Sequence, residues 1–152
     1  MWYIKLQKFL QIIFIMTTAG YAIVGGAHGG SATLDSEGTS RIFTGLAQVT
    51  CSSSGDEPTD HLLARIRDKS APVPGLLVNL QIYKGKRAVN ITDTVSGDAE
   101  YSPFVSLAGG NGVYYILVNK TDAGKRSFDL EWHCTAASGS HTDTDIGVLQ
   151  FE

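Results

Sequence analysis

The sequence predicts an all-β protein, a jelly-roll-like antiparallel β-sandwich of seven to nine strands, and three observations support this fold class. Short segments alternate strictly between apolar and polar side chains, as residues 128–134 do, and a period of two is typical of a strand with one buried face. Turn-forming residues separate these segments about every eight to twelve residues. No segment after residue 27 has a convincing helical period. Short antiparallel strands therefore have to form the core.

Most strands are predicted directly from alternation. Residues 61–67 (HLLARIR) and 76–83 (LLVNLQIY) each place three aliphatic side chains on one side, and residues 84–86 (KGK) supply a turn. The small, polar residues 28–40 predict a flexible lead-in that becomes ordered near residues 32–34. The predicted strands are 41–51, 61–67, 76–83, 87–92, 103–107, 113–119, 128–134 and 146–151.

Residues 109–134 predict a β-hairpin. The aromatic and β-branched residues at 113–119 suit a half-buried strand. The connection at 120–125 contains Asp122 and Gly124, residue types that tolerate the positive φ of a hairpin turn. In the second arm, the alternation points Trp132 and Cys134 toward the core and His133 away from it.

Residues 1–27 have the pattern of an export signal. Lys5 and Lys8 form a basic start, an apolar run at 9–16 (FLQIIFIM) follows, and small residues then offer cleavage after Ala22 or after Ala27. The alternative is an uncleaved N-terminal anchor, although the second half of this segment is rich in Gly and Thr. The predicted organisation is a signal at 1–27, a lead-in at 28–40 and a sandwich domain at 41–152.

Charge limits the classes of partner. Without Lys5 and Lys8, ten Lys and Arg residues remain against fifteen acidic residues, a formal net charge of −5. No basic stripe is left, so we expect no nucleic-acid partner. A protein or glycan partner in the envelope is the expectation, with membrane contact only through an uncleaved N-terminal segment.

Two cysteines behind an export signal predict a disulfide between Cys51 and Cys134 in an oxidising compartment. The bond would close a loop of about eighty residues, which the chain-entropy model expects to be strongly stabilising. Two free thiols or a metal pair are the alternative, but no CxxC spacing supports them.

Three segments resemble the bacterial pre-peptidase C-terminal (PPC) β-sandwich. They are 80–85 (LQIYKG), 112–118 (GVYYILV) and 127–132 (SFDLEW), and the resemblance extends over residues 41–134. It implies a secreted, non-catalytic module of the kind often appended to extracellular hydrolases.

No catalytic motif is present in the sequence, so we expect no enzyme and no catalytic residues. A copper-binding site is the most specific alternative to a module without a cofactor. If cleavage follows Ala27, the mature chain begins at His28, whose amine and imidazole can chelate a copper ion together with a second imidazole. His133 is the best second ligand because it lies on a strand and faces away from the core, and His61 and His141 are looser options.

Calcium is a further alternative, because carboxylates suit this hard cation. Asp143 and Asp145 form one acidic group, and the loop before Tyr101 contains another (Asp93, Asp98 and Glu100), although neither matches a known calcium loop. The expected function is an exported, non-catalytic binding or structural module of the envelope, without a required cofactor. A copper-binding protein and a subunit of a larger envelope assembly are the alternatives.

Overall fold

The computed structural model describes residues 28–152, which form nine strands and no helix. No helix that could span a membrane is therefore found among these residues. The predicted all-β class is confirmed. The strands are β1 (His28–Leu34), β2 (Gly45–Ser52), β3 (His61–Asp68), β4 (Val78–Lys84), β5 (Arg87–Thr92), β6 (Val105–Ala108), β7 (Gly112–Lys120), β8 (Arg126–Thr135) and β9 (Asp143–Phe151).

Two antiparallel sheets pack face to face. One has the strand order β1-β8-β3-β6 and the other β5-β4-β7-β2-β9. The first strand pairs with the eighth, the second with the seventh, the third with the sixth and the fourth with the fifth. This nested pairing is the arrangement of a jelly roll, to which β9 adds an edge strand beside β2. The predicted jelly-roll-like sandwich is confirmed.

The predicted hairpin at 109–134 is wrong. β7 pairs with β2 and β4 in the five-stranded sheet, whereas β8 pairs with β1 and β3 in the four-stranded sheet. The connection between β7 and β8 therefore crosses from one sheet to the other. The physical reason lies at its two ends, where Lys120 and Arg126 are buried and paired with acidic residues from other parts of the chain.

Several strand boundaries also differ from the sequence prediction, since β2 begins at Gly45 rather than at residue 41, β4 at Val78 rather than at 76, and β6 at Val105 rather than at 103. β1 and β9, in turn, extend into segments that were predicted as lead-in or loop. Residues 28–34 form β1 instead of a flexible lead-in, because the backbone of this Gly-rich segment pairs along β8 from Trp132 to Arg126. β9 begins at Asp143 rather than at residue 146, because its first residues pair with Ser52, Cys51 and Thr50 of β2. In both cases, pairing with a long neighbour extends a strand through residues with low β-propensity.

The core lies between the sheets and is closed by the predicted disulfide. Cys51 of β2 and Cys134 of β8 are bonded, with Cα atoms 5.6 Å apart, so the bridge joins the two sheets. A disulfide is compatible with an oxidising, exported environment. Both cysteines are buried, and Trp132 belongs to the same core cluster. The inward residues of β3, β4, β7 and β8 complete this cluster, as the alternation predicted.

Two ion pairs are buried at the end of the sandwich where β7 crosses to β8. Lys120 Nζ lies 2.9 Å from Asp35 Oδ2, and these side chains are 0% and 2% exposed. Arg126 Nη1 lies 3.1 Å from Asp68 Oδ2, with exposures of 2% and 1%. Buried charges persist only when they are paired and hydrogen-bonded, so both pairs hold the adjoining loops in place.

Candidate functional site

The outer, solvent-side face of the four-stranded sheet carries charged side chains that pair with one another. A row of ion pairs crosses this face between β3 and β8. Arg65 binds Glu131 through two nitrogens at 2.8 and 2.7 Å, and Arg67 binds Asp129 at 2.9 and 2.8 Å. Lys69 reaches the second oxygen of Asp129 at 2.8 Å. Because Arg65 is the direct cross-strand neighbour of Glu131, and Arg67 that of Asp129, the register alone brings these opposite charges together.

Aromatic side chains from the segment before β6 cover the two arginines. The Arg65 guanidinium lies 4.3 Å from the ring centroid of Tyr101 and 4.4 Å from that of Phe104. Arg67 lies 4.5 Å from the Tyr101 ring. A guanidinium held between ring faces and a carboxylate has little freedom, so this part of the outer face is rigid.

Asp129 is the most buried acid of this row, with 12% of its side chain exposed. Burial alone would raise its pKa, but hydrogen bonds from Lys69, Ser31 and Arg67 outweigh burial and lower the pKa from 3.8 to about 2. The carboxylate is therefore ionised throughout the ordinary pH range, and its oxygens accept hydrogen bonds from Lys69, Ser31 and Arg67.

Replacing Asp129 with asparagine is expected to destabilise the fold in a pH-dependent way. A folded-state pKa below the unfolded value contributes stability above pH 3.8, which is lost as the pH falls through about 2. At neutral pH we expect D129N to lower the free energy of unfolding by about 1.5–3 kcal/mol, the usual effect of losing hydrogen bonds to a charged group. Urea unfolding of both proteins should show this difference shrinking from pH 4 toward pH 2. A difference that stays constant over that range would contradict the role of the charge.

Three of the four histidines lie close together at one end of the four-stranded sheet, and we call His28, His133 and His141 the histidine cluster. His133 lies on the outer face, whereas His28 is the cross-strand partner of Trp132, and the two rings are 6.4 Å apart. The rings of His133 and His141 stack at 4.5 Å between centroids with an interplanar angle of 26°. His28 lies 6.5 Å from His133. Burial, followed by the nearby charges of His133 and His28, lowers the pKa of His141. This favours the neutral imidazole of His141, the form that can donate a lone pair.

His133 is held by the acid two residues before it on the same strand face. Its Nε2 lies 2.9 Å from Glu131 Oε1, and the His133 side chain is only 7% exposed. A carboxylate can only accept, so Nε2 carries the proton and the neutral ring has its lone pair on Nδ1. That Nδ1 atom is buried and has no hydrogen-bond partner among the described residues. Burial would raise the pKa of Glu131, but the bonds from His133 and Arg65 lower it overall.

Local structure explains why the cluster forms. The chain after β8 folds back on itself, because Thr142 N donates to Cys134 O at 2.9 Å and Thr135 pairs with His141 across an isolated bridge. The Thr142 hydroxyl is fixed by a 2.6 Å hydrogen bond to Thr59. His28 comes alongside because its backbone is paired with Trp132, the residue next to His133.

The other predicted site residues form no ring contact or hydrogen bond with this cluster within the described part of the chain. His61 contacts Asp60 at 2.8 Å. Asp143 and Asp145 are exposed on β9 and pair with β2. In the second acidic group, Asp93 instead accepts the Asp68 N–H at 2.8 Å, and Asp98 accepts the Glu100 N–H. In residues 28–152 no three His, Cys, Asp or Glu side chains already converge as ligands of a metal ion.

Sequence reasoning missed the residues that support His133. Glu131 could have been found, because it stands two residues before His133 and so shares its strand face. Arg65, Tyr101 and Phe104 carried no local signal, since only the pairing of β3 with β8 and the path of the loop before β6 bring them to this face.

An apolar cavity of about 140 Å³ lies at the open edge between β1 and β9. Gly30 borders it, and a Cβ atom at this position would lie in van der Waals contact with the Trp132 ring, at 3.4 Å. Val148 and Phe151 of β9 border the cavity and are partly exposed. The described residues that line this cavity are uncharged and almost all apolar, so it mainly offers apolar contact.

The fold and the site together define the class of the chain, an all-β jelly-roll sandwich with a disulfide between its sheets and a histidine cluster at one end of its four-stranded sheet. Comparison with protein-family models, curated protein sequences and solved structures gives no match for this chain. The geometry of the outer face is therefore the basis for proposing a function.

Proposed function

We propose that the chain is an exported, non-catalytic binding module of the envelope or extracellular space, with the histidine cluster at the centre of its ligand-binding surface. The single observation that carries this proposal is the buried Nδ1 atom of His133, which has no hydrogen-bond partner within residues 28–152 and belongs to a group of three neighbouring histidines. Buried polar atoms in folded proteins nearly always have partners, so an orphan atom beside exposed imidazoles is a reason to expect a ligand.

The rest of the outer face supports this choice by contrast. The arginines and acids of the row are bonded to one another, and the aromatic rings of Tyr101 and Phe104 are already in contact with Arg65. Such contacts fix the positions of these side chains and leave few free donor or acceptor atoms for a further ligand. The histidine cluster is different, because His28 and His141 are exposed and form no hydrogen bond with another described side chain.

The exported location is part of the same proposal. It is supported by the signal-like residues 1–27 and by the disulfide, which forms and persists in oxidising compartments. Intact-mass measurement of the exported protein should give a chain that begins at Ile23 or at His28, the two predicted cleavage products.

Histidine labelling provides a test that needs no knowledge of the ligand. In the extract of the native compartment, diethyl pyrocarbonate should modify the exposed rings of His28 and His141 less than it does in the same chain after purification and dialysis against chelator and high salt. His61 is the internal control, because it lies outside the cluster and contacts Asp60. Equal modification of all cluster residues before and after dialysis would contradict a ligand at this surface.

A further inference from the structure

We infer that the ligand of the histidine cluster is a divalent late first-row transition-metal ion, such as Cu²⁺, Ni²⁺ or Zn²⁺. This inference rests on the proposed function, because it assigns a chemical class to the ligand of the same surface. Imidazole nitrogen is the donor type that these ions prefer, whereas Ca²⁺ and Mg²⁺ require oxygen donors. No acidic side chain other than Glu131 contacts a ring of the histidine cluster among the described residues.

The contact between His133 and Glu131 is the strongest support. Ligating histidines usually donate their second ring N–H to a carboxylate, which fixes the tautomer and makes the free nitrogen more basic. Here Nε2 donates to Glu131 at 2.9 Å, and the lone pair of Nδ1 has no partner among residues 28–152. Glu131 is held in turn by Arg65 at 2.7 Å. Both the orientation of the ring and its protonation are therefore suitable for a metal ion at Nδ1.

The neighbouring rings can complete the coordination after a side-chain rotation. The rings of His133 and His141 now overlap face to face, whereas two ligands of one ion must point their nitrogens at a common position. His28 and His141 are exposed, and rotamer changes of exposed side chains take picoseconds to nanoseconds. His133 is buried and fixed, so it serves as the anchor about which the exposed rings arrange.

Titration calorimetry of the purified exported chain with Zn²⁺, Ni²⁺ and Cu²⁺ salts tests the inference. We expect one ion to bind per chain, and His133→Ala to weaken binding by at least 100-fold. Glu131→Gln should weaken it by about 10–100-fold, the usual effect of losing a partner that orients a ligand. His61→Ala is the matched control and should bind as the wild type does. Circular dichroism and urea unfolding of the metal-free variants confirm that each is folded.

A spectroscopic readout separates ligation from a structural effect. The electron paramagnetic resonance spectrum of the Cu²⁺ form should show nitrogen hyperfine splitting that changes in His133→Ala and not in His61→Ala. If binding survives His133→Ala but is lost in His28→Ala, the N-terminal residue alone holds the ion and the cluster inference is overturned. Absence of binding by the folded wild-type chain overturns it as well.

The two proposals can fail separately. Protection of His28 and His141 in the native extract, without metal binding by the purified chain, would leave the binding module in place and reject the metal. Metal binding by the purified chain without protection in the extract would support the metal site and reject its use as a ligand surface in the native compartment. Neither protection nor metal binding would reject both.

Discussion

Replacing Asp35 with asparagine is expected to lower the free energy of unfolding by about 3–5 kcal/mol, the usual cost of removing one partner from a buried ion pair. Asparagine keeps the shape of the side chain and tolerates the positive φ of 51° at this position, so the backbone can remain as it is. Lys120, whose side chain is fully buried, would then keep its charge without a counter-ion. Urea unfolding at neutral pH measures the loss directly.

The contacts of Asp35 explain why the charge matters. Burial alone would raise the pKa of Asp35, but hydrogen bonds from Lys120, Gly124, Ser40 and Thr39 outweigh burial and lower the pKa far below its usual value. Lys120 also donates to the carbonyl oxygens of Ser40 and Asp122. The carboxylate thus connects the loop after β1 to the crossing between the sheets.

Two variants control for other causes. Asp122→Asn removes the exposed pair with Arg41, whose side chains are 52% and 71% exposed, and should cost less than about 1 kcal/mol. The double variant Asp35→Asn with Lys120→Met removes the unpaired charge and should recover much of the loss, because the main cost of breaking a buried ion pair is the charge left without a partner. If Asp35→Asn costs no more than Asp122→Asn, the buried pair does not stabilise the fold in this way.

Strand alternation was enough to predict the fold class. It also held information about buried charged residues that the sequence prediction did not use. Lys120 continues the inward series of β7, and Arg126 begins the inward series of β8. Asp68 likewise ends the inward series of β3. A charged residue in phase with the core is a signal for a buried ion pair, and it could have located both ends of the crossing. The hairpin prediction was wrong because two alternating segments joined by a turn have the same sequence pattern in both possible arrangements. The two strands can pair within one sheet, or they can lie in opposite sheets that face each other.

Part of the candidate site could likewise be predicted from local sequence, whereas another part depends on contacts between residues far apart in the chain. The outward direction of His133 could be predicted, because it depends only on the period of β8. The approach of His141 could not, because it depends on a fold-back after β8 that is fixed by Thr142 and Thr59, residues far apart in sequence. Composition also predicted that His28 lies in a flexible lead-in, whereas pairing with β8 places it in a strand.

Removing the Cys51–Cys134 bridge is expected to lower the free energy of unfolding by about 4–5 kcal/mol. The two cysteines are 83 residues apart, and the chain-entropy model assigns a loop of that length a stabilisation of this size. Since small domains have a total stability of about 5–15 kcal/mol, the reduced protein should be close to unfolding under mild conditions. Guanidinium unfolding of the wild type with and without a reductant measures the effect.

The denaturant dependence shows where the bridge acts. If it acts by restricting the unfolded chain, reduction makes that chain less compact, and the m-value should rise together with the loss of stability. If it acts by holding the two sheets together in the folded state, stability should fall while the m-value stays the same. The double variant Cys51→Ala with Cys134→Ala is the control, since a reductant should not affect it. A loss below about 1 kcal/mol on reduction of the wild type would mean that core packing between the sheets, and not the covalent link, sets the stability of the sandwich.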